Sequence, residues 1–275
     1  MQEYASKKMP TGISSLDPIL DGGVPPGSVI LLLGDLGAGS YDFVYSSMAN
    51  LLDVKKSGSL QDKLVPKELR YITFTRLKDD VRQEIIQSLH FDNISQLVDL
   101  IQFDDLSELY FDKSMVPDEW YSRSDIITRL QKRSGHENVL VHLSEAINAA
   151  QPESLIVLDS ITEIATQSIT RNSWSDLTGF LRGLQRMSKQ RGITSYLLLS
   201  QGILDSVKER ELADIADAVM LFKWEESTGA RRQRVMYFEK FRGVMPHLEE
   251  RDLVKFAVRI STTSGFEVSN IRMVI

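Results

Sequence analysis

The residues best suited to chemistry lie in one short stretch: Gly34, Asp35, Leu36, Gly37, Ala38, Gly39, Ser40 and Tyr41. The spacing G-x-x-G-x-G follows an apolar run, 29–33, and precedes a segment of helical periodicity. Strand, glycine loop and helix in that order form the layout of a phosphate-binding P-loop, where backbone N–H groups at a helix N-terminus wrap the anion. Two further places carry the rest of that chemistry. A lysine neutralises the outer phosphate oxygens, and a short-armed Ser or Thr hydroxyl binds Mg²⁺. Here those places hold Ser40 and Tyr41. Ser40 offers a hydroxyl without charge, and the Tyr41 hydroxyl lies too far from its backbone to copy a short metal ligand. Asp35 and Asp42 bring negative charge to the expected phosphates. At an effective dielectric near 20, a like-charge pair ~5 Å apart costs roughly 3 kcal/mol. Asp42, in the first helical turn, would complement the helix dipole, cap N–H groups and fill the phosphate place with its own carboxylate.

A loop of this kind needs a strand before it, a helix after it and further parallel strands beside it. The periodicities supply them. Helix is expected over 41–54, 79–90, 138–150 and 173–191, and strand over 69–74, 98–103, 154–158 and 194–199. Residues 55–67 read as a loop, and Ser15 is placed to cap a short helix through Leu20 that Gly22 and Gly23 end. From Asp217 the pattern changes to antiparallel hairpins, with strands at 218–224, 234–240 and 253–260, a turn at 227–230, and closing strands at 265–268 and 271–275. Strands alternating with helices, followed by a β-rich tail, describe an α/β fold with a mainly parallel sheet flanked by helices. Residues 104–135, with Tyr110, Phe111, Trp120 and Tyr121, are the least regular part and read as an insertion.

Composition sets the outer bounds. The 275 residues are 42% apolar and 25% charged, ordinary for a globular chain. The net charge of −6 argues against a generally basic nucleic-acid surface, leaving Arg231, Arg232 and Arg234 as the sole basic cluster of interest. Without cysteine there is neither a disulfide nor a thiolate metal site, and His90, His136, His142 and His247 are scattered without a ligand pattern. No apolar run reaches the ~20 residues of a membrane span, and the N-terminus lacks a signal-peptide core, so a cytoplasmic location is expected.

Several motifs in order resemble a known family. They are Thr11, Gly12, Leu16 and Asp17; Gly22 and Gly23; Pro26, Gly27 and Ser28; the loop from Gly34 to Ser40; and Leu155 to Ser160. Downstream come Ile215, Ala216 and Asp217, then Glu239, Lys240, Arg242 and Gly243, then Gly265, Phe266, Glu267 and Val268. Together they resemble the RecA-like ATPases, and within them the KaiC-like group. The resemblance implies a RecA-like P-loop fold with antiparallel C-terminal strands, spanning 1–275 as one domain with an irregular insertion at about 104–135. It implies that Asp159 would hold Mg²⁺ if a nucleotide binds, and that Ser200 and Gln201 would sense the terminal phosphate. Lys240 and Arg242 would reach the nucleotide of a neighbouring subunit. A strand-end cap, an ordinary turn and a solvated strand face are the plainer alternatives for these three features.

The resemblance also marks departures. Where KaiC-like proteins carry a glutamate pair after the second strand, this chain has Thr75 and Arg76. Neither is a general base at neutral pH, although Arg76 could restore a positive charge, and Asp79 and Asp80 are the nearest carboxylates. The expectation is a pseudo-ATPase with a degenerate loop and weak or absent ATP and Mg²⁺ binding, regulatory or scaffolding in role. It would assemble with itself or with KaiC-like subunits. The alternatives are a slow ATPase or kinase using a non-standard loop, and a DNA-associated recombinase-like protein.

Overall fold

The computed structural model describes residues 7–58, 64–91, 93–112, 114–121, 138–227 and 231–270. The loop starts from β1 (Val29–Gly34), in which every residue is buried, and leads into α1 (Ser40–Ser57). Then follow β2 (Leu69–Thr73), α2 (Lys78–Ser88), α3 (Ile94–Val98), β3 (Gln102–Asp105), α4 (Ser107–Phe111) and α5 (Val139–Ala149). Next are β4 (Leu155–Asp159), α6 (Ile161–Gln167), α7 (Arg171–Arg191), β5 (Thr194–Ser200) and α8 (Ser206–Ile215). The tail is β6 (Ala218–Ser227), β7 (Arg231–Phe241), α9 (Met245–Glu250), β8 (Lys255–Ser261) and β9 (Gly265–Asn270).

The strands form one nine-stranded sheet in the order β3-β2-β4-β5-β1-β6-β7-β8-β9. Pairing is parallel from β3 to β6 and antiparallel from β6 to β9. The alternation of strand side chains divides the apolar residues between two layers. Ile30 and Leu32 face α1, α2 and α3, while Val29, Leu31 and Leu33 face α5, α6, α7 and α8. The loop after β1, the carboxyl end of β4 and the carboxyl end of β5 therefore meet on one edge of the sheet, where ligands bind in open α/β folds.

Some elements differ from their expected bounds. Val98 ends the helix α3 rather than opening a strand, because Ile94, Leu97 and Val98 are buried at helical spacing against α1 and α2; β3 begins at Gln102. Ser15 caps no helix. Residues 14–20 make successive turns, with the N–H groups of Leu16 and Asp17 both on the Ile13 carbonyl. The Ser15 hydroxyl instead accepts from the Val268 N–H, as the Ser46 hydroxyl accepts from Phe266, so two serines cover donors on the outer edge of β9. Helix α6 was not expected, yet Ser160 and Glu163 form a complete capping box at its start. Within 104–135, the Phe111 ring meets Tyr110 edge-on and Tyr121 at a tilt. Residues 122–137, 228–230 and 271–275 fall outside the described residues.

The N-terminal motif is a strap. Asp17 accepts from the N–H and the hydroxyl of Thr11, while Ser47 and Asn50 on α1 donate to the carbonyls of Thr11 and Gly12. Met9 and Val24 exchange backbone hydrogen bonds around Gly23, where an added Cβ would lie 2.0 Å from the Met9 carbonyl oxygen. Its neighbour Gly22 also has positive φ but open space around it. Gly23→Ala should therefore cost about 3 kcal/mol or more, or prevent folding, whereas Gly22→Ala should cost about 1 kcal/mol. Urea unfolding of the two variants reads the difference, and equal losses would contradict the strap geometry.

Candidate functional site

Asp159 ends β4 and is 2% exposed. Four side chains from three elements converge around it. Tyr41, in the first turn of α1, donates its hydroxyl to Oδ1 at 2.9 Å. Tyr71, on β2 next door, donates to Oδ2 at 2.6 Å. Arg76 Nη1 donates to the same Oδ2 at 3.2 Å and to the Tyr45 hydroxyl at 3.0 Å, and its Nη2 meets Glu84 on α2. The Arg76 guanidinium also lies 5.7 Å from the centre of the Tyr41 ring. Tyr45 follows Tyr41 by one helical turn, so both rings leave α1 on the same side. A tight turn aims Arg76, since Thr73 Oγ1 accepts from the Arg76 N–H and donates to the Arg76 carbonyl.

The electrostatics follow from burial. Desolvation, then the Asp159 carboxylate, pushes Tyr41 and Tyr71 well above the ordinary phenol range. Tyr45 is raised chiefly by burial, with Arg76 pulling the other way. For Arg76, burial opposes the charge, but Tyr45 and Asp159 outweigh it and the guanidinium is held more firmly protonated. The result is a closed set of hydrogen bonds around one buried carboxylate.

A P-loop that holds Mg²⁺ and a triphosphate leaves a gap between the hydroxyl at the start of the helix and the strand-end carboxylate. Here the Tyr41 side chain spans that gap and bonds Asp159 directly. Both carboxylate oxygens are already taken by the chain's own donors. The cleft left among Gly34, Gly37, Ser40, Tyr41, Ser160 and Ser200 measures about 80 Å³, against roughly 300–1,000 Å³ for small-molecule pockets. Neither a metal ion on Asp159 nor a triphosphate along this loop fits the arrangement. Among the described residues no group of three or more His, Asp or Glu side chains is placed to hold a metal elsewhere.

The other expected site residues are placed as follows. The Asp35 carbonyl accepts from the Ala38 N–H, and its carboxylate accepts from the Trp224 N–H. The carbonyls of Leu36 and Gly37 point outward to Trp224 Nε1 and Arg234 Nε. Gly37 and Gly39 are left-handed, and a Cβ on Gly39 would press on Ile260 and Phe266. Ser40 lies against Gly34. Ser200 donates its N–H to Thr162 Oγ1, and Gln201 donates its N–H to the Gly34 carbonyl, so this pair ties β5 to α6 and to the loop. Thr75 is half-buried beside Arg76. Burial raises the Asp42 carboxyl above the usual range, with Arg234 pulling the other way. Lys240 donates to the carbonyls of Ala213 and Asp214, and Arg242 donates to Asp214, so both cations sit at the C-terminal end of α8, where the helix dipole favours them. Burial, then the neighbouring Arg242, lowers the Lys240 ammonium below its ordinary value.

Among solved structures, a KaiC-like protein from the hyperthermophilic archaeon Pyrococcus horikoshii OT3 superposes with a TM-score of 0.61 over 96% of this chain and 99% of its own, at 19% sequence identity. The chain has the KaiC-like, RecA-type fold. No protein-family model matches it, and no curated protein sequence matches it. The shared architecture covers nearly the full length of both chains.

Sequence reasoning did not find Tyr45, Tyr71, Glu84 or Trp224, and it singled out Arg234 only as part of a basic cluster. A Tyr at i and i+4 on α1 was the one available signal, because the remaining partners are brought together only by strand order. The raised tyrosines set a pH dependence. Unfolded tyrosine titrates near 10 and these titrate higher when folded, so their contribution is complete below pH 10 and is lost as pH rises above it, by up to about 1.4 kcal/mol per unit for each ring. Urea midpoints should fall steeply above pH 10, and Tyr41→Phe, which costs about 1.5–3 kcal/mol at pH 7 by removing a bond to a charged acceptor, should flatten that fall. Unchanged stability between pH 9 and 11.5 would contradict the network.

Proposed function

We propose that this chain is a catalytically impaired homologue of the KaiC-like ATPases, acting as a regulatory or scaffolding subunit with weak or absent ATP binding. The observation that carries the reading is the Tyr41–Asp159 hydrogen bond, backed by Tyr71 and Arg76. An ATPase of this fold needs the strand-end carboxylate free for metal and the loop free for phosphate, and here one tyrosine takes both places. Thr75 and Arg76 supply no base for the attacking water. The fold keeps its use as a shaped body. Partners are then KaiC-like subunits, from a second copy or another chain, and of the two trans-acting candidates Arg242 retains more exposed surface than Lys240. The retained glycine loop at the start of α1 favours one second reading, slow ATP turnover through backbone groups alone. The DNA-associated reading loses weight because Arg232 and Arg234 both stack on Trp224, 4.3 and 4.5 Å from its ring centre.

Calorimetry separates these readings. The wild-type chain should bind MgATP with a Kd weaker than ~1 mM. The double variant Ser40→Lys/Tyr41→Thr restores the charge and opens the gap. A cation ~4 Å from phosphate at an effective dielectric near 20 is worth about 4 kcal/mol, so affinity should tighten by about 100- to 1,000-fold. A micromolar Kd for the wild type, or ATP hydrolysis by pure protein that Asp159→Ala abolishes, would overturn the proposal.

A further inference from the structure

Helix α7 has two glycines in its interior, Gly179 and Gly183, one turn apart and exposed. An added Cβ at either would meet nothing within 4 Å. Alanine suits a helix better than glycine, so packing within the described residues gives no reason for them. On one side of this crest an apolar groove of about 220 Å³ runs between α5 and α7, with Ile147 and Leu184 as its floor and Phe180 and Met187 on its rim. That volume lies below the range of roughly 300–1,000 Å³ usual for small-molecule pockets. It suits a side chain presented by another helix. On the other side stand Arg182 and Arg186, also one turn apart, exposed, and with no ion-pair partner among the described residues. The neighbouring Lys189 is already paired with Asp217.

We propose that this face of α7 is a docking site for an acidic amphipathic helix of another protein. The two missing Cβ atoms let a partner backbone come close. Apolar side chains at helical spacing enter the groove, and carboxylates along one edge of the partner meet Arg182 and Arg186. A second copy of this chain is the wrong occupant, because a two-fold contact through the crest brings the arginines of both copies together when the helices run antiparallel and lays them over the other copy's apolar groove when they run parallel. The site lies on the opposite helical layer from α1 and stands whether or not the nucleotide cleft is closed.

The probe is a labelled helical peptide of roughly 16 residues with Leu at positions i, i+3, i+4 and i+7 and Glu along one flank; its control has Lys for every Glu. Fluorescence anisotropy should show the acidic peptide binding the intact chain at least ~10-fold tighter than the basic one. Arg182→Glu/Arg186→Glu should remove that preference. Gly183→Leu should block the groove while holding or raising the Tm, since it replaces an exposed helical glycine. Equal binding of the two peptides, no saturable binding, or undiminished binding to Gly183→Leu would overturn the proposal. So would a dimer in sedimentation that Gly183→Leu dissociates, which would assign the face to a second copy.

Discussion

A carboxylate that is almost fully withdrawn from water must have its charge answered, and leaving it unanswered costs several kcal/mol. Proteins of this architecture can leave the task to a metal ion. In this chain the answer comes from the polypeptide: two phenols and a guanidinium close on Asp159, and the guanidinium is in turn held by Glu84 and Tyr45. The positions of α1, β2, β4 and the turn after β2 are all registered by that one group. Since the three donors to Asp159 come from α1, β2 and the turn after β2, the network acts as a pin through the carboxyl-end edge of the sheet.

The opposite edge has a second pin of the same kind. Asp217, just before β6, accepts from the Val29 N–H at the start of β1 and from Gln185 on α7, with Lys189 3.1 Å away. Asp17 does likewise for the N-terminal strap. Three buried carboxylates, Asp17 satisfied from within the strap and Asp159 and Asp217 by donors distant in sequence, thus hold the strap, the sheet and the loop in one register. Hydrogen bonds to a buried charge are worth more than those between neutral groups and tolerate less displacement, which is why small residues crowd the strap and the loop.

The glycine loop is clamped from its outer side as well. Trp224 and Arg234 on the antiparallel hairpin bind the carbonyls of Leu36 and Gly37, and Asp35 returns a bond to the Trp224 N–H. The peptide planes keep a P-loop-like attitude although the lysine that gives such a loop its charge is absent. The shape of the loop is maintained by contacts that do not involve a ligand.

Much of this was legible in the residues alone. Period-2 and period-3.6 apolar patterns located most strands and the long helices, and the glycine spacing located the loop. Ser40 and Tyr41 stand there where the usual motif has a lysine and a Ser or Thr. Those are local properties: hydrophobic periodicity, backbone freedom and the charge of a single side chain. The surroundings of Asp159 were not legible. Asp42 was the adjacent candidate in the sequence; the hydrogen bonds that reach Asp159 come from Tyr41, Tyr71 and Arg76, with Glu84 behind Arg76. Only strand order brings residues 41, 71 and 159 within hydrogen-bonding distance, and only burial makes those bonds matter. A pattern along the chain encodes which face a residue takes; which distant donors share that face with it is decided by how the sheet is assembled.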